Sequence, residues 1–164
     1  MKLLTPTKTE KTIYDIDYNI LKKEGIKCLL FDLDNTCVGY HDKLPTKKLN
    51  NLFKKLKSIG FIVVIFSNTT KKRIKPFTET DAICHPKSLK PLSFNFKKIM
   101  KKYNLNKKEV CIIGDQLFTD VLGGNKVGIM TYLVDPLTNE DFIITRFFRK
   151  IERKILSKQK GRKK

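Results

Sequence analysis

Four short stretches of the chain are almost wholly apolar: residues 26–31, 61–66, 110–113 and 129–134. Runs of this length that do not alternate with polar residues predict strands covered on both faces, as in a parallel sheet. Residues 82–84 form a weaker run and predict one more short strand. Between the runs the apolar spacing changes to three and four. Leu49, Leu52, Phe53, Leu56 and Ile59 predict a helix that stops at Gly60. Phe96, Ile99, Met100 and Tyr103 predict another, with Pro91 and Ser93 near its start. Alternating strands and helices predict an α/β fold. Sheets of this kind carry their sites outside the carboxyl ends of the strands. The chemistry is therefore expected just after each apolar run.

The polar residues fall there. The first run is followed by Asp32, Asp34, Asn35 and Thr36, and the second by Ser67, Asn68 and Thr69. The third leads into Gly114, Asp115 and then Asp120, and Lys90 stands just ahead of the second helix. Asp and Asn after a strand often do no more than shape a turn or cap a helix. Here several strand ends offer carboxylates, a hydroxyl and an ammonium that one reaction can use together. Carboxylates gathered at one point need a cation. An all-oxygen set with no His or Cys cluster suits Mg2+. An Asp carboxylate can attack phosphorus to give an aspartyl-phosphate. A hydroxyl such as that of Ser67, backbone N–H groups and the Lys90 ammonium can hold the non-bridging oxygens.

Asp32-Leu33-Asp34-Asn35-Thr36 resembles the DxDxT nucleophile motif of the haloacid-dehalogenase (HAD) superfamily. Ser67 resembles its second motif, Lys90 its third, and Gly114-Asp115 through Asp120 its GDxxxxD fourth motif. Residues 113–125 with Lys90-Pro91 closely resemble the YqeG-type family in HAD subfamily IIIA, and the resemblance covers about residues 10 to 155. It implies a HAD-like Rossmannoid fold of three layers around a central parallel sheet. It implies Asp32 as nucleophile and metal ligand. Asp34 would be the general acid/base and reach the metal through its carbonyl. Asp115 would be the remaining protein ligand, with Mg2+ as cofactor. Ser67 and Lys90 would bind the phosphoryl group, and Thr36 and Asn68 would support the phosphate loop. Asp120 would orient Lys90 or a metal-bound water. Lys87 competes for the lysine role, but Lys90 abuts Pro91 and a helix start, as the family pattern does. Cys37 stands where the family commonly has an aliphatic residue. Eukaryotic members of the family are phosphatidylglycerophosphate phosphatases, so the resemblance implies a phosphomonoester of that kind as substrate.

Length and charge narrow the picture. A chain of 164 residues with 40% hydrophobic and 31% charged residues fits one soluble globular domain. The run at 61–66 is far too short to span a bilayer, and the N-terminal residues carry no apolar signal segment. Cys28, Cys37, Cys84 and Cys111 lack paired CxxC spacing and are expected as reduced thiols. These features together give the expectation of a cytoplasmic protein. The net charge of +19 calls for an acidic partner. Residues 35–66 are mostly used by one helix and one strand, and the 22 residues 68–89 are too few for a folded unit, so no cap domain is expected. An uncapped site suits a substrate whose bulk stays outside, such as a lipid phosphate or a nucleic-acid end.

The domain is expected over residues 1–140. Residues 141–164 are expected to add a basic amphipathic helix and tail within the same domain. Thr138 to Asp141 resembles a capping box, and Ile144, Phe148, Ile151 and Ile155 follow helical spacing. From Asp141 onward the chain carries ten basic and two acidic residues, a net +8. Such a helix either packs its apolar stripe on the domain or lies on an anionic membrane at its inner face. Two other functions fit the residues less well. One is a phosphatase for another large or soluble phosphate, including a nucleic-acid 3′-phosphate. The other is a non-enzymatic phospho-acceptor or binding module. Asp34 argues against that second one, because a pure switch needs no acid/base placed for turnover.

Overall fold

The strands are β1 (Lys8–Glu10), β2 (Cys28–Phe31), β3 (Ile62–Phe66), β4 (Ile83–His85), β5 (Val110–Gly114) and β6 (Met130–Val134). The helices are α1 (Tyr18–Lys23), α2 (Lys47–Ser58), α3 (Lys71–Ile74), α4 (Ser93–Lys102) and α5 (Leu122–Val127). This computed structural model describes residues 2–138 together with Ile151, Glu152, Lys154, Ile155 and Ser157. Ile144, Phe148, Asp141 of the expected capping box and the tail 158–164 lie outside the described residues.

All neighbouring strands pair in parallel, in the order β1-β6-β5-β2-β3-β4. β2 therefore sits between β3 and β5, and each of its residues is buried. Alternation resolves its apolar run into two cores. Leu29 and Phe31 join Phe53 and Leu56 of α2 in one cluster, which also takes Tyr18 and Leu21 of α1. Cys28 and Leu30 join Phe96 and Ile99 of α4 in the other. The Phe31 and Phe53 rings lie 5.4 Å apart on the first side, and Phe66 meets Phe96 edge-on at 4.7 Å on the second. Each such buried ring stabilises the fold by about 1.5–3 kcal/mol. The result is a three-layer α/β sandwich whose four central strands are covered on both faces.

Local signals end the helices where the sequence places them. The Thr46 side chain accepts from the Leu49 N–H to cap α2, and Gly60 beyond its end takes φ +94. α5 holds Gly123 and Gly124, poor helix formers, because the backbone lies directly on the sheet. A Cβ on Gly124 would sit 2.5 Å from Thr131 Cγ2 and 2.6 Å from Ile112 Cγ2.

The segments 35–66 and 68–89 are filled by α2 with β3 and by α3 with β4, so neither carries a cap. The described part of the C-terminal segment is helical and rests on the domain. Ile155 packs beside Leu117, Val121, Leu133 and Leu4, and buried Glu152 accepts from the Phe118 N–H at 3.1 Å. No described helix is long and apolar enough to cross a membrane.

Candidate active site

Asp32 is the first residue past β2, and its N–H still donates to Ile113 O of β5 at 2.9 Å. The chain then turns sharply. Leu33 O accepts from the N–H groups of Thr36, Cys37 and Val38, and Asn35 takes φ +63. Asn and Asp tolerate that left-handed conformation better than other non-glycine residues. The turn brings the Thr36 hydroxyl to Asp115, where it donates to Oδ1 at 2.8 Å. The Asn35 side chain accepts from the Thr138 hydroxyl at 2.7 Å, tying the turn to the segment after β6. Cys37 is buried under the turn, and burial pushes its thiol well above the usual range.

Lys90 reaches this point from the opposite side. Its Nζ donates to Asp32 Oδ1 and Asp120 Oδ1, each at 2.6 Å, with the lysine side chain only 1% exposed. Burial alone would lower the pKa of the ammonium. The Asp120 and Asp32 carboxylates outweigh that effect and raise its pKa above the ordinary lysine value. Asp120 Oδ2 accepts from the Gln116 N–H at 3.2 Å, so both of its oxygens are engaged. Asp120 can approach only because residue 114 is glycine: a Cβ there would collide with the Asp120 carboxyl. Lys87, the competing lysine, is exposed.

The Lys90 backbone is clamped. Asn68 Oδ1 accepts from the Lys90 N–H at 2.7 Å and from the Ser88 hydroxyl at 3.0 Å, and Asn68 Nδ2 donates to Lys90 O at 2.9 Å. Asn95 Nδ2 donates to Ser88 O at 3.0 Å. Ser67 is buried beside this clamp, with its carbonyl accepting from the Ser88 N–H. Asn68, expected to support the phosphate loop, thus uses its amide to fix the lysine.

Asp34 meets a different cation. Arg73 of α3 donates from Nε at 3.0 Å and Nη2 at 2.7 Å to Asp34 Oδ1. Its guanidinium lies 5.4 Å from the centre of the buried Phe77 ring. Burial raises the Asp34 carboxyl above its ordinary value, and Arg73 opposes the rise. Sequence reasoning missed Arg73. It stands among Lys71, Lys72 and Lys75, and only its placement three residues after the helix cap Thr70 sets it apart.

Asp32, Asp115 and Asp120 can bring carboxylate oxygens within 4.8 Å of one another, all buried. Such a set of hard oxygen donors fits Mg2+. Lys90 and Gln116 engage both oxygens of Asp120, whereas Lys90 meets Asp32 and Thr36 meets Asp115 at Oδ1.

The chain matches the family described as Mitochondrial PGP phosphatase over residues 1–138. It is 40% identical over 163 residues to Probable phosphatase YqeG of Bacillus subtilis (strain 168), covering 98% of this chain and 95% of that protein. It is 27% identical to Phosphatidylglycerophosphate phosphatase 1, chloroplastic/mitochondrial, of Arabidopsis thaliana, over 96% of this chain but 48% of that protein. Among solved structures it is similar to a HAD family enzyme of Bacteroides thetaiotaomicron in complex with magnesium and inorganic phosphate. The TM-score is 0.52 at 16% identity, with 74% of this chain and 99% of that one covered. A match over most of the chain and a relative 40% identical along nearly its whole length place the protein in the PGP phosphatase family, as a phosphatase.

Proposed function

We propose that the protein is a magnesium-dependent phosphomonoester hydrolase that works through an aspartyl-phosphate on Asp32, and that its substrate is phosphatidylglycerophosphate or a similarly bulky anionic ester. The observation that carries the reading is the Asp32 carboxylate at the end of β2, gripped at one oxygen by Lys90 and flanked by Asp115. Lys90 holds Oδ1, so Oδ2 is the oxygen that attacks phosphorus. The bond to the leaving alkoxide breaks, and protonated Asp34 gives that alkoxide its proton. Asp34 then takes a proton from water, whose oxygen attacks phosphorus. The Asp32–phosphorus bond breaks and inorganic phosphate departs. Ser67 and Lys90 bind the phosphoryl oxygens throughout. Asp32 and Asp115 would hold Mg2+, with the Asp34 carbonyl, and the ion supplies positive charge beside the phosphoryl oxygens.

The substrate reading is supported by the uncapped site and by the name of the Arabidopsis relative. Phosphate release with Mg2+ is measured on phosphatidylglycerophosphate in vesicles, glycerol phosphate, nucleotides and a nucleic-acid 3′-phosphate. The lipid ester is expected to give the highest kcat/KM. Equal rates on soluble esters would remove the lipid from the reading, and no release from any ester would remove the phosphatase mechanism.

A further inference from the structure

We propose that the loop bearing Lys90, with the first turn of α4, is a membrane-docking rim that seats the active site on an anionic phospholipid surface. Three of the nine exposed large apolar side chains among the described residues fall between 89 and 94: Leu89 at 55%, Leu92 at 58% and Phe94 at 71%. Lys90, between two of them, points inward to Asp32. The exposed apolar side chains therefore flank the segment that delivers Lys90 to Asp32.

Their exposure is built in. Leu89 takes φ +55, a conformation disfavoured for a bulky side chain. It is held there by the Asn68 clamp on both polar groups of Lys90 and by the Leu92 N–H donating to Leu89 O at 2.9 Å. A slack loop would relax and fold its leucines against the domain. This one is fixed with its apolar groups outward, as at a surface that meets an apolar partner.

The charges identify that partner. On α4, Lys97 and Lys98 follow Phe94 by three and four residues, both exposed, so they share its face of the helix. They stand about 5 Å behind it along the axis. Lys87 is exposed on the loop itself. Apolar tips backed by a row of ammonium groups match the layering of a bilayer surface: acyl boundary first, phosphate headgroups behind. Nucleic acid offers phosphates but no apolar layer for two leucines. The rim gives the lipid reading of the substrate a physical route and rests on that reading for its purpose, although lipid binding is measured without turnover.

The test is sedimentation of the full chain with phosphatidylcholine vesicles, with and without phosphatidylglycerol, at low salt. The wild type is expected to bind the anionic vesicles. Leu92→Ser with Phe94→Ser is expected to weaken binding about tenfold or more, since both lose buried apolar area. Lys97→Glu with Lys98→Glu is expected to remove the preference for anionic lipid. Melting temperature and hydrolysis of p-nitrophenyl phosphate should match wild type in both pairs. The proposal is overturned if the serine pair binds as well as wild type. It is also overturned if only removal of residues 158–164 abolishes binding, or if the wild type ignores vesicles. Wild-type protein that docks through the rim yet hydrolyses no phosphate ester would leave the rim standing and sink the catalytic reading instead.

Discussion

Asp32 and Asp34 leave the same strand end two residues apart, yet they inhabit opposite environments. Asp32 is closed in against Lys90, which Asp120 shares on its other side, and the lysine is 1% exposed. Asp34 is 22% exposed and faces Arg73, itself 21% exposed. The first group is buried and locked against an ammonium. The second stands at the edge, held by a long side chain on a four-residue helix. A nucleophile benefits from the first setting, because it must be ionised and fixed. A group that passes protons to a leaving oxygen and takes them from water needs the second. One pentapeptide thus offers two different settings because its backbone turns at Leu33.

Exchanging the groups breaks the comparison in graded steps. Asp32→Asn should keep the melting temperature near wild type and lower kcat by about four orders of magnitude or more, since an amide cannot attack phosphorus. Phosphate-release kinetics decide it. Asp34→Asn should cost about 10²–10⁴ in kcat on an alkyl ester, as expected for a lost acid/base. The loss should shrink on a p-nitrophenyl ester, whose leaving group needs no proton in the first step. An equal loss on both esters would contradict the role at the edge. Lys90→Met leaves two carboxylates buried without their shared cation and should destabilise the fold by about 3–5 kcal/mol, read by urea denaturation. Adding Asp120→Asn to it should recover part of that loss, whereas independent effects would add. Arg73→Ala should be the mildest, at about tenfold in kcat with less than about 1 kcal/mol in stability, because its ion pair is partly solvated. If Arg73→Ala unfolded the protein as readily as Lys90→Met, the two settings would not differ as described.

How much of this could be read ahead of the structure follows from burial. β2, β3, β5 and β6 were legible because their residues pack on both faces and the runs are therefore apolar throughout. β1 was not, because Lys8-Thr9-Glu10 is polar and lies at the sheet edge, paired only to β6. Its place is set by distant contacts: Thr7 against Thr131, and Asn125 Nδ2 donating to Leu3 O and Thr5 O. α5 was missed because two glycines argue against a helix, and only the contact with Ile112 and Thr131 explains them. The candidate residues easiest to pick out were those that follow a strand directly, as Asp32, Ser67 and Asp115 do. Arg73 was hidden beside Lys71, Lys72 and Lys75, and its place after the Thr70 cap does not by itself say that it turns inward over Phe77.

The pairing of β1 with β6 has a consequence for synthesis. Thr7 meets a partner 124 residues further along the chain. At a translation rate of about 5–20 residues per second, the first strand waits roughly 6–25 s for its neighbour to leave the ribosome. β2 and β3 can pair early, because both lie in the first half of the chain. β5 and β6 then complete the sheet, and the amino-terminal residues close it last. A nascent chain halted before Met130 would display an open edge on β5 and a loose leader. Ribosome-stalled chains of increasing length, probed by protease, should show the leader protected only after β6 has cleared the exit tunnel.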